Sequence, residues 1–127
     1  MHRMRLIVVG ISGLLVLSAA APALAGYGAV ALDEETGRHG AGWNEGTQKQ
    51  AEDAALKGCE STGCKIVFRV PPRHCAALAT GEKGKSGKVA WGGADKSTRD
   101  AAKLAALENC QKRTSGKCEV RESECNR

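Results

Sequence analysis

An α+β fold is predicted by three observations: an order of short strands and one helix that occurs twice, alanine along one side of each helix, and six cysteines in a chain of 127 residues. The expected architecture is two ββαβ pseudo-repeats, about 27–70 and 75–125. Their strands form an antiparallel sheet, covered by two helices and stapled by disulfides.

The first 25 residues read as a leader. MHRMR is basic, LIVVGISGLLVL is apolar, and SAAAPALA ends in the small-residue pattern Ala23-Leu24-Ala25, so residues 1–25 are expected to be a signal peptide cut after Ala25. The competing reading is an uncleaved anchor, because the apolar stretch with its tail approaches the roughly 20 residues that span a bilayer. Cleavage leaves residues 26–127 as one exported domain, secreted or periplasmic, with no stable membrane insertion. Gly26 rather than cysteine follows the cut, which argues against lipid attachment there.

Residues 27–43, YGAVALDEETGRHGAGW, align without a gap on residues 75–91, CAALATGEKGKSGKVAW, at an offset of 48, which sets Trp43 on Trp91. TQKQAEDAALKGC (47–59) aligns on TRDAAKLAALENC (98–110) at an offset of 51. In each half the runs 28–32 and 76–80, the Gly-rich polar turns and the second run ending in tryptophan predict a β-hairpin. Thr47 with Gln50 and Ser97 with Asp100 look like helix N-caps, opening helices over 48–58 and 98–111. Ala51, Ala54, Ala55 and Cys59 share one helical face, as do Ala102, Ala105, Ala106 and Cys110. The run CKIVFRV (64–70) places Ile66, Phe68 and Val70 on one side of a strand that Pro71 and Pro72 end.

ATGEKGKS (79–86) resembles a phosphate-binding loop, but Ala79 stands where the first glycine is needed and the strand-like KVAW follows where a helix should begin. It reads as a hairpin turn with Lys83, Lys85 and Lys88 as an exposed basic tip.

All six cysteines follow the predicted cut, and an even count in a short exported chain argues for three disulfides, of which 15 connectivities exist. The repeated placement of Cys59 and Cys64 and of Cys110 and Cys118 pairs each within its half and leaves Cys75 with Cys125, which requires antiparallel strands at that point. Zinc held by Cys59, Cys64, His74 and Cys75 is the competing reading; no metal and no other cofactor is expected. Staples suit a domain whose only aromatic residues are Tyr27, Trp43, Phe68 and Trp91.

Without Arg3 and Arg5 the chain carries 17 Lys and Arg against 14 Asp and Glu, a net charge of +3 with both signs interleaved. That excess attracts anionic surfaces weakly but lacks the basic stripe and stacking aromatics of a nucleic-acid reader, so no nucleic acid is expected. His39 and His74 lack the sequence context of a hydrolase motif, and Asp33, Glu34 and Glu35 sit together rather than on two sides of a substrate. Trp43 and Trp91 are read as large members of a small-residue core, with an exposed platform for a sugar or peptide as the alternative.

YGAVAL, AEDAALKGC, CKIVF, CAALATG, Trp91 and AALENC, in that order, resemble the bacterial domain-of-unknown-function family 4189, whose members are small exported proteins. The resemblance spans Tyr27 to about Cys118; Ala76 departs from the family's expected C-G-A-L-A glycine. It implies no activity, cofactor or catalytic residue. The sequence therefore predicts a non-enzymatic binding factor whose candidate surface is Lys83, Lys85, Lys88, Trp43 and Trp91. Its partner would be macromolecular, an anionic envelope component or another exported protein. The alternatives are an inhibitor of a wall-degrading or proteolytic enzyme, inserting a loop such as 82–87, and a small hydrolase whose site assembles only in three dimensions.

Overall fold

The computed structural model describes residues 26–127; the expected signal peptide lies outside the described residues. In chain order the elements are β1 (Tyr27–Leu32), β2 (His39–Glu45), α1 (Gln48–Cys59), β3 (Lys65–Val70), β4 (Cys75–Lys83), β5 (Val89–Lys96), α2 (Arg99–Gln111) and β6 (Glu119–Cys125).

The strands form two three-stranded antiparallel sheets, ordered β2-β1-β3 and β5-β4-β6, where the sequence predicted one. The reason lies in the central strands. Ala29 to Leu32 of β1 and Cys75 to Ala79 of β4 are all at most 4% exposed, so both faces of each strand need cover. In each half the helix crosses over between the two outer strands, which run in the same direction on either side of the central one, and covers one face. The other face is covered by the opposite sheet.

The interior is thereby layered by residue size. Ala29 and Ala31 pack on Ala51, Ala55 and Cys59 of α1, and Ala77 and Ala79 pack on Ala102, Ala106 and Cys110 of α2. Val30, Leu32 and Leu78 meet between the sheets, with Trp43, Phe68 and Trp91 packed around them. The predicted alanine faces are thus in place, although only two alanines of each predicted trio are fully buried. Glycine brings the helices closer still: a Cβ on Gly40 would lie 2.3 Å from Ala55 O, and one on Gly92 would lie 2.3 Å from Cys110 N.

Those glycines correct the gapless alignment. Gly40 pairs with Ala31 and Gly92 with Ala79, while His39 pairs with Leu32 and Trp91 with Thr80. Trp91 therefore occupies the place of His39, not of Trp43; the second hairpin is longer by four residues, the separation from Thr80 to Trp91 being 11 against 7 from Leu32 to His39. Two smaller expectations also change. A register shift in β3 turns Ile66 toward α1 and leaves Phe68 between the sheets, so the two do not share a side. The α2 cap is Thr98, not Ser97: its hydroxyl accepts from Ala101 N at 3.2 Å, as Thr47 accepts from Gln50 N at 3.1 Å.

Disulfides join Cys59 to Cys64, Cys110 to Cys118 and Cys75 to Cys125. These bonds use three of the four ligands that the zinc reading requires. Cys75 and Cys125 face each other across antiparallel β4 and β6. Just beyond, buried Asn126 ties the halves together: its amide donates to Val70 O at 3.0 Å and Pro71 O at 3.2 Å, and its Oδ1 accepts from Asn44 N at 3.0 Å.

Candidate functional site

Cavities, aromatic surface and cations coincide around Trp91. As an odd-numbered residue of β5 it points away from α2 and toward the first sheet, where it joins the seam beside Phe68. Its indole N–H donates to Glu34 Oε1 at 2.9 Å, and the other oxygen of Glu34 lies 3.7 Å from Lys88 Nζ. Glu34 O also accepts from Val89 N at 2.7 Å, so the turn after β1 is anchored on β5 by backbone and side chain together.

One face of the Trp91 ring lies under the Arg113 guanidinium, 5.0 Å from the ring centroid, and Arg113 Nη1 donates to Trp91 O at 3.0 Å. Arg113 follows the end of α2, where its N–H returns to Cys110 O at 2.9 Å inside the loop closed by Cys110 and Cys118. Trp91 packs in the seam as the core reading expects, and the face that the platform alternative would offer a ligand is partly occupied by the protein's own cation. A charge held by a ring and a carbonyl is presented with little loss of side-chain freedom.

Three cavities share Trp91 as a wall. The largest, about 680 Å³, runs along Val67 and the 33–36 turn; the second, about 420 Å³, lies between Phe68, Gly93 and Arg113; the third, about 230 Å³, is bounded by Lys85, Lys88 and Arg113.

The acids of the 33–35 cluster have separate tasks. Asp33 is only 4% exposed; it accepts from Ser61 Oγ at 2.5 Å and from Glu35 N at 2.9 Å, and the Ser61 hydroxyl followed by that N–H holds its carboxyl below the usual range. Glu34 serves Trp91 and Lys88, and Glu35 is exposed. They do not form a facing pair of catalytic carboxylates.

His39 and His74 each have a carboxylate neighbour, in different places. His74 Nδ1 lies 2.7 Å from Asp95 Oδ1 on a half-exposed surface. His39 Nδ1 lies 3.9 Å from Glu122 Oε2, and Glu122 Oε1 accepts from the Trp43 indole at 3.2 Å. Trp43 thus joins the halves on the opposite side of the seam from Phe68 and does not share a site with Trp91. Lys83 and Lys85 are exposed as predicted for the hairpin tip, and β4 continues through Lys83 before the turn, with a strand after it as the hairpin reading requires.

The family model described as a domain of unknown function (DUF4189) matches residues 27–125. The chain belongs to this family. The match takes in both sheets, both helices and all three disulfides, so the Trp91 region lies wholly within the DUF4189 domain. No curated protein and no solved structure matches the chain. Among the described residues, no helix is long and apolar enough to cross a membrane.

The role of Arg113 could not be read from sequence, since nothing marks it beyond its position between two cysteines. Glu34 was visible only as one member of an acidic run. Both gain their roles from the contact between sheets.

Proposed function

We propose that this DUF4189 protein is an exported, non-enzymatic binding factor that uses the surface around Trp91 to hold an anionic partner, an envelope component or another exported protein. The observation that carries this reading is the balance of charge there. Lys85, Lys88, Lys112 and Arg113 line the two cavities on the Arg113 side of Trp91 against Glu34 and Asp95, an excess of two positive charges there. Three disulfides, with the export signal expected from the sequence, suit a rigid domain working in an oxidising compartment. Duplication of a ββαβ unit accounts for the matching seats of Gly40 and Gly92 under the two helices.

Retention of the purified protein on an anionic envelope fraction tests the reading. The triple variant K85E/K112E/R113E is expected to lose retention at least tenfold while keeping its far-UV circular dichroism. Equal retention of the variant would overturn it. A second reading, a small hydrolase, is favoured only by the His74–Asp95 pair at 2.7 Å. Turnover of a glycan, peptide or ester that disappears in His74→Ala would replace the binding reading with that one.

A further inference from the structure

We propose that the two cavities on the Arg113 side of Trp91 form a single site for a phosphorylated sugar unit of an envelope glycan, with the phosphate beside the turn between β4 and β5 and the sugar ring beside Phe68. This rests on the reading above, that the surface holds an anionic partner, and gives that partner its chemistry.

The two cavities meet at Trp91 and Arg113, which line both. The smaller, about 230 Å³, takes cations from separate parts of the chain: Lys85 and Lys88 from the turn, and Arg113 from the segment after α2. Against these three stands the carboxylate of Glu34, which is already bonded to the Trp91 indole and lies 3.7 Å from Lys88 Nζ. Three cations against one carboxylate leave an excess of two positive charges. Arg113 is fixed over the ring and bonds Trp91 O through Nη1, and among the described residues nothing else bonds its guanidinium. Lys85 takes part in no ion pair among the described residues. The Ser86 hydroxyl accepts from Lys88 N at 3.4 Å and keeps its own proton to donate. The stretch that fails as a phosphate-binding loop, for want of a following helix, thus still brings Lys85, Ser86 and Lys88 to one cavity wall.

A phosphate monoester carries about −1.5 to −2 at neutral pH and accepts through three oxygens, so it matches this excess, whereas a carboxylate or a sulfate ester brings a single charge. A guanidinium tied at one nitrogen and stacked on a ring offers its remaining N–H groups to phosphate oxygens in a fixed geometry.

The larger cavity, about 420 Å³, has a different chemistry. Its wall is apolar at Val67, Phe68 and Gly93, and two acceptors beside them are half used. Asp95 Oδ1 lies 2.7 Å from His74 Nδ1, and Asn109 donates through Nδ2 to Gly93 O at 3.0 Å, which leaves Asp95 Oδ2 and Asn109 Oδ1 to accept. Asp95 lines this cavity and not the smaller one, so its charge stands at the sugar end of the site. A sugar ring presents an apolar C–H face together with hydroxyl donors and meets both demands; a purely apolar group would leave both acceptors unbonded.

The test titrates the purified, oxidised, isotope-labelled protein with glucose 1-phosphate, glucose 6-phosphate, inorganic phosphate, glucose 6-sulfate and O-phosphoserine, reading amide shifts by NMR. At least one glucose phosphate is expected to bind saturably and at least about tenfold tighter than the other three ligands. It should shift amides at 85–88 and 113 and also at 93–95 and 109, and should release the protein from the anionic envelope fraction. Lys85→Gln is expected to weaken glucose phosphate and inorganic phosphate alike, by about fivefold, whereas Asp95→Ala weakens glucose phosphate about fivefold and leaves inorganic phosphate bound at least as tightly as before. Equal binding of O-phosphoserine, or unchanged glucose phosphate affinity in Asp95→Ala, would overturn the sugar end of the site. Equal binding of the sulfate would overturn the phosphate end, and binding without release from the envelope fraction would overturn the glycan as its source. If neither glucose phosphate binds while the protein is still retained on the envelope fraction through Lys85, Lys112 and Arg113, this inference falls and the anionic-partner reading stands; equal retention of K85E/K112E/R113E removes that reading whatever the titrations show.

Discussion

Adding one methyl group at Gly40 is expected to destabilise the protein by about 2–3 kcal/mol, the upper part of the range for overpacking. The new Cβ would lie 2.3 Å from Ala55 O and 2.3 Å from Cys59 N, both backbone atoms that no rotamer change can move. Carbon and oxygen settle near about 3.3 Å, so α1 must withdraw by about 1 Å. A radial gap of that size forfeits about a quarter to a half of each dispersion contact across it. The contacts at stake are those of Ala51, Ala55 and Cys59 with Ala29 and Ala31, which make up the whole of that layer's buried cluster. Gly58 faces Gly40 and supplies the control. Its Cβ would stand 3.5 Å from Gly40 Cα, an ordinary contact, and it lies within α1. There alanine is favoured over glycine by about 0.5–1 kcal/mol, so Gly58→Ala is expected to stabilise. Urea denaturation with unchanged slope reads both effects, and for a domain of about 100 residues the Gly40→Ala loss corresponds to a Tm lower by about 10–20 °C. A Gly40→Ala protein within about 0.5 kcal/mol of the parent would refute the close seating of helix on sheet.

The disulfides should differ in worth according to the chain they close. Replacing Cys75 and Cys125 by alanine opens a separation of 50 residues and is expected to cost about 4 kcal/mol, against about 2 kcal/mol for Cys59 and Cys64 with a separation of 5, both read by urea denaturation. Equal losses would contradict the loop-entropy account. Asn126→Ala strands Asn44 N, Val70 O and Pro71 O at a nearly buried position and should cost about 2–3 kcal/mol, with faster amide exchange at Asn44. Asp33 is held below the usual carboxylate range chiefly by Ser61, so its contribution to stability is complete above that range and fades as pH falls through it to the lowered value. The Tm difference between the parent and Ser61→Ala should therefore be largest near neutral pH and shrink below about pH 4; a difference that grows on acidification would reverse the sign of the argument.

What the sequence disclosed was whatever short-range pattern controls. Helix faces built on alanine and a strand alternating Ala29, Val30, Ala31 and Leu32 are local periodicities, and they name the layers before any contact is known. Cysteine pairing was legible because the placement of Cys59 and Cys64 recurs in Cys110 and Cys118, which leaves Cys75 for Cys125. The division into two sheets was not legible, since no short-range rule says whether two hairpins extend one sheet or stack. Nor was the place of Trp91: a gapless alignment is the simplest reading of the two hairpins, and only the register of β4 with β5 reveals the longer turn. The candidate site shares that limit, because Glu34, Phe68 and Arg113 are far apart in the chain and meet only after the sheets have stacked.

The layering by size explains why one seam carries so much. Alanine and glycine let each helix approach its sheet closely, but they offer few methylene groups to bury, and burial returns about 0.8 kcal/mol for each. The large side chains are therefore needed where the two sheets meet, and the seam becomes the main apolar reserve of the molecule. At its Trp91 side the seam opens between two outer strands, and its polar contacts are made by the same residues that face the cavities: Glu34 bonds the indole and Lys88, while Arg113 covers the ring. The ligand proposed for this side would meet side chains already held by the packing of the sheets, so little ordering would be required of the protein on binding. The groups that join the halves are in this way also the groups that present charge, and a substitution at Glu34 or Arg113 must be judged by both stability and affinity.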